Sequence, residues 1–167
     1  VVSCNYKITQ KLAFLLNKIF LEVVIANGFD KEALKILKLK KNLRLIDSSK
    51  ISFNEVWKFN SVDNFTLIQS EDKKKISRKD FRIVSKRKPN KSQLDNLMFA
   101  FNICRYTKSN AIVLANNMST IGIGSGQSSR LDSCEIAIAK MNKFSKIKDE
   151  IVAASDAFFP FVDGIEK

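Results

Sequence analysis

The sequence predicts an α/β fold built from βαβ units around a largely parallel sheet. Short apolar runs alternate with amphipathic stretches, and turn signals such as Asn27-Gly28 separate them. The 167 residues are 45% hydrophobic, which favours a packed core over disorder, and they suffice for one good core or two small lobes.

Residues 9–21 place Leu12, Leu15, Leu16, Ile19 and Phe20 on one helix face. A short apolar strand follows over 21–26, and Asn27-Gly28 turns the chain. Asp30 is positioned to cap a helix over 31–41, and 43–47 reads as the next strand. Residues 48–80 are polar with small apolar patches such as Phe65-Thr66-Leu67-Ile68, and Asp72-Lys73-Lys74-Lys75 reads as a solvated charge run. A strand is expected over 81–85, before the basic connector Lys86-Arg87-Lys88-Pro89. Ser92 and Asp95 form an imperfect capping box for a helix whose buried face is Leu94, Leu97, Met98, Phe101 and Cys104. Strands over 110–115 and 120–123 flank the polar turn Asn116-Asn117. A glycine-rich loop spans 124–129, a helix runs over 130–142, and a last strand over 150–154 feeds a phenylalanine-rich loop.

That loop gathers Phe158, Phe159 and Phe161 around Pro160, with Asp156 and Asp163 on either side. A rigid apolar wall with fixed acceptors suits a flat heteroaromatic ligand. A hydrophobic plug closing the end of a sheet explains the same residues. The run Gly122-Ile123-Gly124-Ser125-Gly126 lies between a strand and a helix, where backbone N–H groups can hold an anion. A tight turn needing positive φ is the plainer account. The spacing is neither the dinucleotide fingerprint nor a Walker A loop. Arg130 adds a planar donor fork suited to a phosphate, carboxylate or carboxamide. Asn110, at the beginning of a strand, can donate to a ligand carbonyl or to the backbone at the strand end.

Three motifs then occur in order: Lys108-Ser109-Asn110-Ala111-Ile112-Val113, Ile121-Gly122-Ile123-Gly124-Ser125-Gly126-Gln127 with Ser129-Arg130, and Ser155-Asp156-Ala157-Phe158-Phe159-Pro160-Phe161. Together they resemble the transformylase domain of the bifunctional purine biosynthesis family, which joins AICAR transformylase to IMP cyclohydrolase. Weaker similarity through Glu22-Val23-Val24-Ile25-Ala26 and Val84-Ser85-Lys86-Arg87 extends the resemblance over most of the chain. It implies cytidine-deaminase-like α/β lobes, with a mixed sheet flanked by helices. Residues 1–88 would be part of a first transformylase lobe and 89–167 part of a second, each cut at its outer end, with the cyclohydrolase half outside this chain.

The activity implied is formyl transfer from 10-formyltetrahydrofolate to AICAR, giving FAICAR, in a homodimer with active sites at the subunit interface. By the same resemblance Asn110 is the catalytic donor beside the formyl group. Arg130 and Phe158 lie against the aminoimidazole carboxamide, and Asp163 accepts from the pyrimidine ring of the reduced folate. Thr107, Ser109 and Asp156 match positions near a monovalent cation, K+, in some relatives; loop-fixing hydrogen bonds are the alternative. Val162 and Asn27 stand where relatives often carry Arg and Pro. The family's Lys-His pair would precede Val1 and a further histidine would follow Lys167, so this fragment alone is expected to be inactive.

Lys and Arg number 29 against 17 Asp and Glu, for a net charge of +12. The basic residues are mostly Lys, scattered through 31–50, 73–91 and 140–148. Specific nucleic-acid readers favour Arg with interleaved aromatics, so nucleic acid is not the expected partner. A positive field that draws in phosphates and polyanionic folates is the milder consequence. The competing reading is a non-catalytic basic α/β module that grips RNA or another polyanion; steeply salt-dependent RNA binding would favour it. The three cysteines lack metal spacing, and Cys104 and Cys134 fall on apolar helix faces, which suits a reduced, cytoplasmic setting. No apolar run is long enough for a membrane span and no leader is read, so no membrane partner is expected. With no histidine, the chain carries no side chain that ordinarily titrates near neutrality.

Overall fold

A computed structural model describes residues 1–52, 57–74, 76–146 and 149–159, together with 162 and 166. The chain divides into two units, Val1–Asp72 and Lys73–Lys167.

The first unit is built on the expected βαβ logic. Strands β1 (Val2–Cys4), β2 (Val23–Ala26) and β3 (Arg44–Asp47) pair in parallel in that order. Helices α1 (Gln10–Asn17) and α2 (Lys31–Leu37) make the two crossovers. Thr9 caps α1, its Oγ1 accepting from the Leu12 N–H at 3.4 Å. Ile8, Ala13, Leu16, Val24, Ala26, Ala33 and Leu37 form the core. Asp30 occupies the N-cap position of α2 but makes no side-chain cap bond; it pairs with Lys7 Nζ at 2.8 Å.

The polar reading of 48–80 missed a hairpin. β4 (Trp57–Val62) and β5 (Phe65–Ser70) pair antiparallel about a turn in which Asp63 adopts a φ of 49°. All twelve of its strand residues are exposed. Trp57-Lys58-Phe59-Asn60 and Phe65-Thr66-Leu67 do alternate apolar and polar residues, a short strand signal within the polar stretch.

In the second unit the strand expected over 81–85 is absent; among the described residues these positions join no sheet. A 3-10 turn, Arg78–Asp80, leads instead to Phe81, whose ring meets Phe101 edge to face at 5.9 Å. Helix α3 (Lys91–Cys104) is capped by Asn90 and Gln93 in a reciprocal box, not by Ser92 and Asp95. Asp95 pairs with Arg78.

Strands β6 (Ile112–Asn116), β7 (Ser119–Gly124) and β8 (Val152–Ser155) form a sheet in the order β7-β6-β8, antiparallel throughout. The expectation of a largely parallel sheet therefore holds only for the first unit. The cause is local. Asn117 and Met118 both adopt positive φ, 47° and 57°, and a two-residue turn of that hand joins only antiparallel strands.

Central β6 is buried along its whole length. Val113 and Ala115 pack with Ala100 and Cys104 of α3, whereas Ile112 and Leu114 pack with Cys134 and Ala137 of α4 (Arg130–Phe144). The alternation puts one helix against each face. Burial pushes the Cys104 thiol up to about 11, aided by the negative charge of Asp156, so it behaves as a small core residue. The fold is mixed α/β, as expected.

Candidate functional site

The site forms where the chain enters β6. Thr107 closes α3: its N–H donates to Cys104 O at 2.9 Å and its hydroxyl to Ile103 O at 3.0 Å. The next residues are stitched to the loop after β7. Gly126, at a φ of 69°, donates its N–H to Lys108 O at 2.7 Å, and Asn110 N–H donates to Gln127 O at 3.2 Å. The positive φ makes glycine the natural residue at 126.

The other glycines of this run serve a close contact between helix and strand. Gly122 and Gly124 lie in β7 beneath α4, and a Cβ on Gly124 would stand 1.8 Å from the Ser133 carbonyl oxygen. They let a helix and a strand approach at backbone distance. The donors at the start of α4 are also partly used, because Ser129 Oγ accepts from Leu131 N–H at 3.1 Å and Asp132 N–H at 3.5 Å.

Asn110 is fixed at every polar atom but one. Its Nδ2 donates to Gln127 O at 3.0 Å and to Ser128 O at 3.1 Å. Its backbone carbonyl accepts from Ser133 Oγ at 2.7 Å. Two carbonyl acceptors on one side settle the amide orientation, because only an NH2 group can face both. Oδ1 makes no hydrogen bond to a described residue.

Asp156, just beyond β8, ties the remaining residues together. Its Oδ1 accepts from Arg130 Nη1 at 2.6 Å and from Ala111 N–H at 3.1 Å, and its Oδ2 accepts from Ser109 Oγ at 2.5 Å. Arg130 Nε also donates to Phe158 O at 3.1 Å. The Arg130 and Asp156 side chains are 12% and 18% exposed. Burial pushes the Asp156 carboxyl up, but the bonds from Ser109 and Ala111 and the Arg130 guanidinium together outweigh it and hold the pKa below the ordinary carboxylate value. The Phe158 ring is 81% exposed beside this pair, while Phe159 packs against the α4 side of the sheet.

Ser109, Asn110, Arg130, Asp156 and Phe158 are thus brought to one end of one sheet. Thr107 shares no hydrogen bond with them. Asp163, Pro160 and Phe161 lie outside the described residues. The three positions matched to a monovalent cation each make side-chain hydrogen bonds within the protein. The Asp156 charge is taken by Arg130, and the Thr107 hydroxyl is turned to Ile103 O. Among the described residues no group of three or more His, Cys, Asp or Glu is set to hold a metal ion. Sequence reasoning missed Ser133 and the carbonyls of Gln127 and Ser128. Ser133 follows Arg130 by three residues and so shares its helix face, the one signal available.

A model of the AICARFT/IMPCHase bienzyme family matches residues 1–140. The chain is similar to the bifunctional purine biosynthesis protein PurH of Chlorobium phaeobacteroides (strain BS1), with 39% identity over 165 residues. It is 40% identical over 167 residues to the protein of that name from Oceanobacillus iheyensis, and 42% identical over 168 residues to that of Limosilactobacillus reuteri. Each alignment takes in 99% of this chain and 31% or 32% of the relative. The chain therefore spans about a third of the length of the curated relatives it matches.

Proposed function

Because the chain belongs to the AICARFT/IMPCHase bienzyme family, we propose that it is the substrate-orienting part of a purine-biosynthetic formyltransferase. The reaction moves the formyl group of 10-formyltetrahydrofolate to the 5-amino group of AICAR. That amine is a poor nucleophile, since its lone pair is delocalised into the imidazole and carboxamide. Catalysis then needs an oriented amine, a proton acceptor and support for the formyl oxyanion.

The observation that carries the reading is that Asp156 binds Arg130 and both neighbours of Asn110, Ser109 and Ala111, while Arg130 holds the Phe158 carbonyl. Arg130 spends Nε and one Nη1 proton on the protein and keeps its Nη2 edge for the carboxamide oxygen. The exposed Phe158 ring supplies a face for the imidazole. Asn110 takes a different role from the donor expected of it. Its amide protons are committed, so Oδ1 accepts from the 5-amino group and turns the nitrogen lone pair toward the formyl carbon. The oxyanion donor and the proton acceptor come from outside these residues, which include no histidine.

Asp163 is assigned to the pyrimidine ring of the reduced folate by the family resemblance alone. A K+ ion near Thr107, Ser109 and Asp156 is likewise assigned by the family resemblance alone, and no step is routed through it. Residues 1–88 and 89–167 are assigned to two cytidine-deaminase-like lobes, with the stretch before Pro89 as connector. A homodimer in the cytoplasm completes the proposal; none of the three cysteines is in a disulfide, and no helix among the described residues is long and apolar enough to cross a membrane.

Steady-state formyl transfer by the full-length protein tests the reading. Wild type turns over AICAR and 10-formyltetrahydrofolate, and Asn110→Ala lowers kcat about a hundredfold. A full-length protein without turnover, or an Asn110→Ala variant at the wild-type rate, would contradict it.

A further inference from the structure

We propose that Ser133 is a positioning residue for Asn110, setting the direction of its Oδ1; this rests on the formyltransferase reading. Ser133 is fully buried. A serine inside a helix commonly donates to the carbonyl four residues back. Here the hydroxyl leaves its own helix and donates to Asn110 O at 2.7 Å, across 23 residues of sequence. The helix that carries it packs on β7 at backbone distance, since Gly124 lies against the Ser133 backbone with no room for a Cβ.

The bond completes a clamp. The Asn110 N–H and Nδ2 are held by the loop carbonyls of Gln127 and Ser128. The N–H of the following peptide, at Ala111, is held by Asp156 Oδ1 at 3.1 Å, which leaves the Asn110 carbonyl as the remaining anchor point. Ser133 fixes the other end of the same residue to the rigid body of α4. Arg130, one turn earlier on α4, is held by Asp156. One helix thus sets the spacing between the guanidinium and the amide that face the ligand. Small misplacements of a reacting group are costly in rate even when no substrate contact is lost.

A double-mutant cycle in the full-length enzyme tests this. Ser133→Ala is expected to lower kcat/KM about tenfold, mostly through kcat. In an Asn110→Ala background the same change is expected to alter kcat/KM by less than about twofold, because the residue it positions is gone. Equal losses in both backgrounds, or no loss in the wild-type background, overturn the proposal while leaving the formyltransferase reading intact. An Asn110→Ala enzyme at the wild-type rate removes that reading and this proposal with it. Should Ser133→Ala fail to fold, Ser133→Cys keeps the size with a weaker donor, and the same cycle applies.

Discussion

Burial alone would push the Asp156 carboxyl up, yet three donors and the Arg130 charge keep it ionised. Its folded-state pKa lies below the unfolded value near 4. Ionised Asp156 therefore stabilises the fold above that range, and the contribution is lost as pH falls through the lowered folded-state value. Asp156→Asn is expected to cost about 2 kcal/mol at neutral pH, the scale of a hydrogen bond to a charged partner. The gap between wild type and variant should be widest at neutral pH and narrow in acid. Urea unfolding at a series of pH values measures it, and a gap independent of pH would refute the ion-pair account. At this scale the sequence was partly informative. Asn110, Arg130 and Phe158 stood out by residue type. Their partners did not, because Gln127 O and Ser128 O, which hold Asn110, and Phe158 O, which holds Arg130, are backbone groups that any residue would carry.

Among the elements, the contact between β7 and α4 governs the site, since α4 carries Arg130 and Ser133 together. Gly124→Ala would place a methyl group 1.8 Å from the Ser133 carbonyl oxygen, which is backbone and cannot swing aside. The helix must move away, at an expected cost of about 3 kcal/mol. Thermal unfolding of the variant checks this, and an unchanged Tm would show that the helix has slack. Helical and buried-strand elements were legible because their apolar periodicity matches what they bury, as at Leu12, Leu16, Val113 and Ala115. The β4–β5 hairpin was signalled only by the short alternations Trp57-Lys58-Phe59-Asn60 and Phe65-Thr66-Leu67 within a polar stretch, and the polar reading passed over them. Phe81 and Ile83 alternate like a strand, yet a strand needs a neighbour to bond, and none is supplied among the described residues.

Over the whole molecule, the net charge of +12 fits an enzyme of anionic substrates as well as it fits a polyanion grip, and charge alone does not separate them. Family membership and the clustered site favour the enzyme. The direct test is a crystal structure of the full-length protein with AICAR bound. The ligand's 5-amino nitrogen is predicted to lie about 3 Å from Asn110 Oδ1, with Arg130 Nη2 on the carboxamide oxygen and Phe158 against the imidazole. AICAR seated away from Asn110, or facing Nδ2 with the bonds to Gln127 and Ser128 broken, would contradict the account.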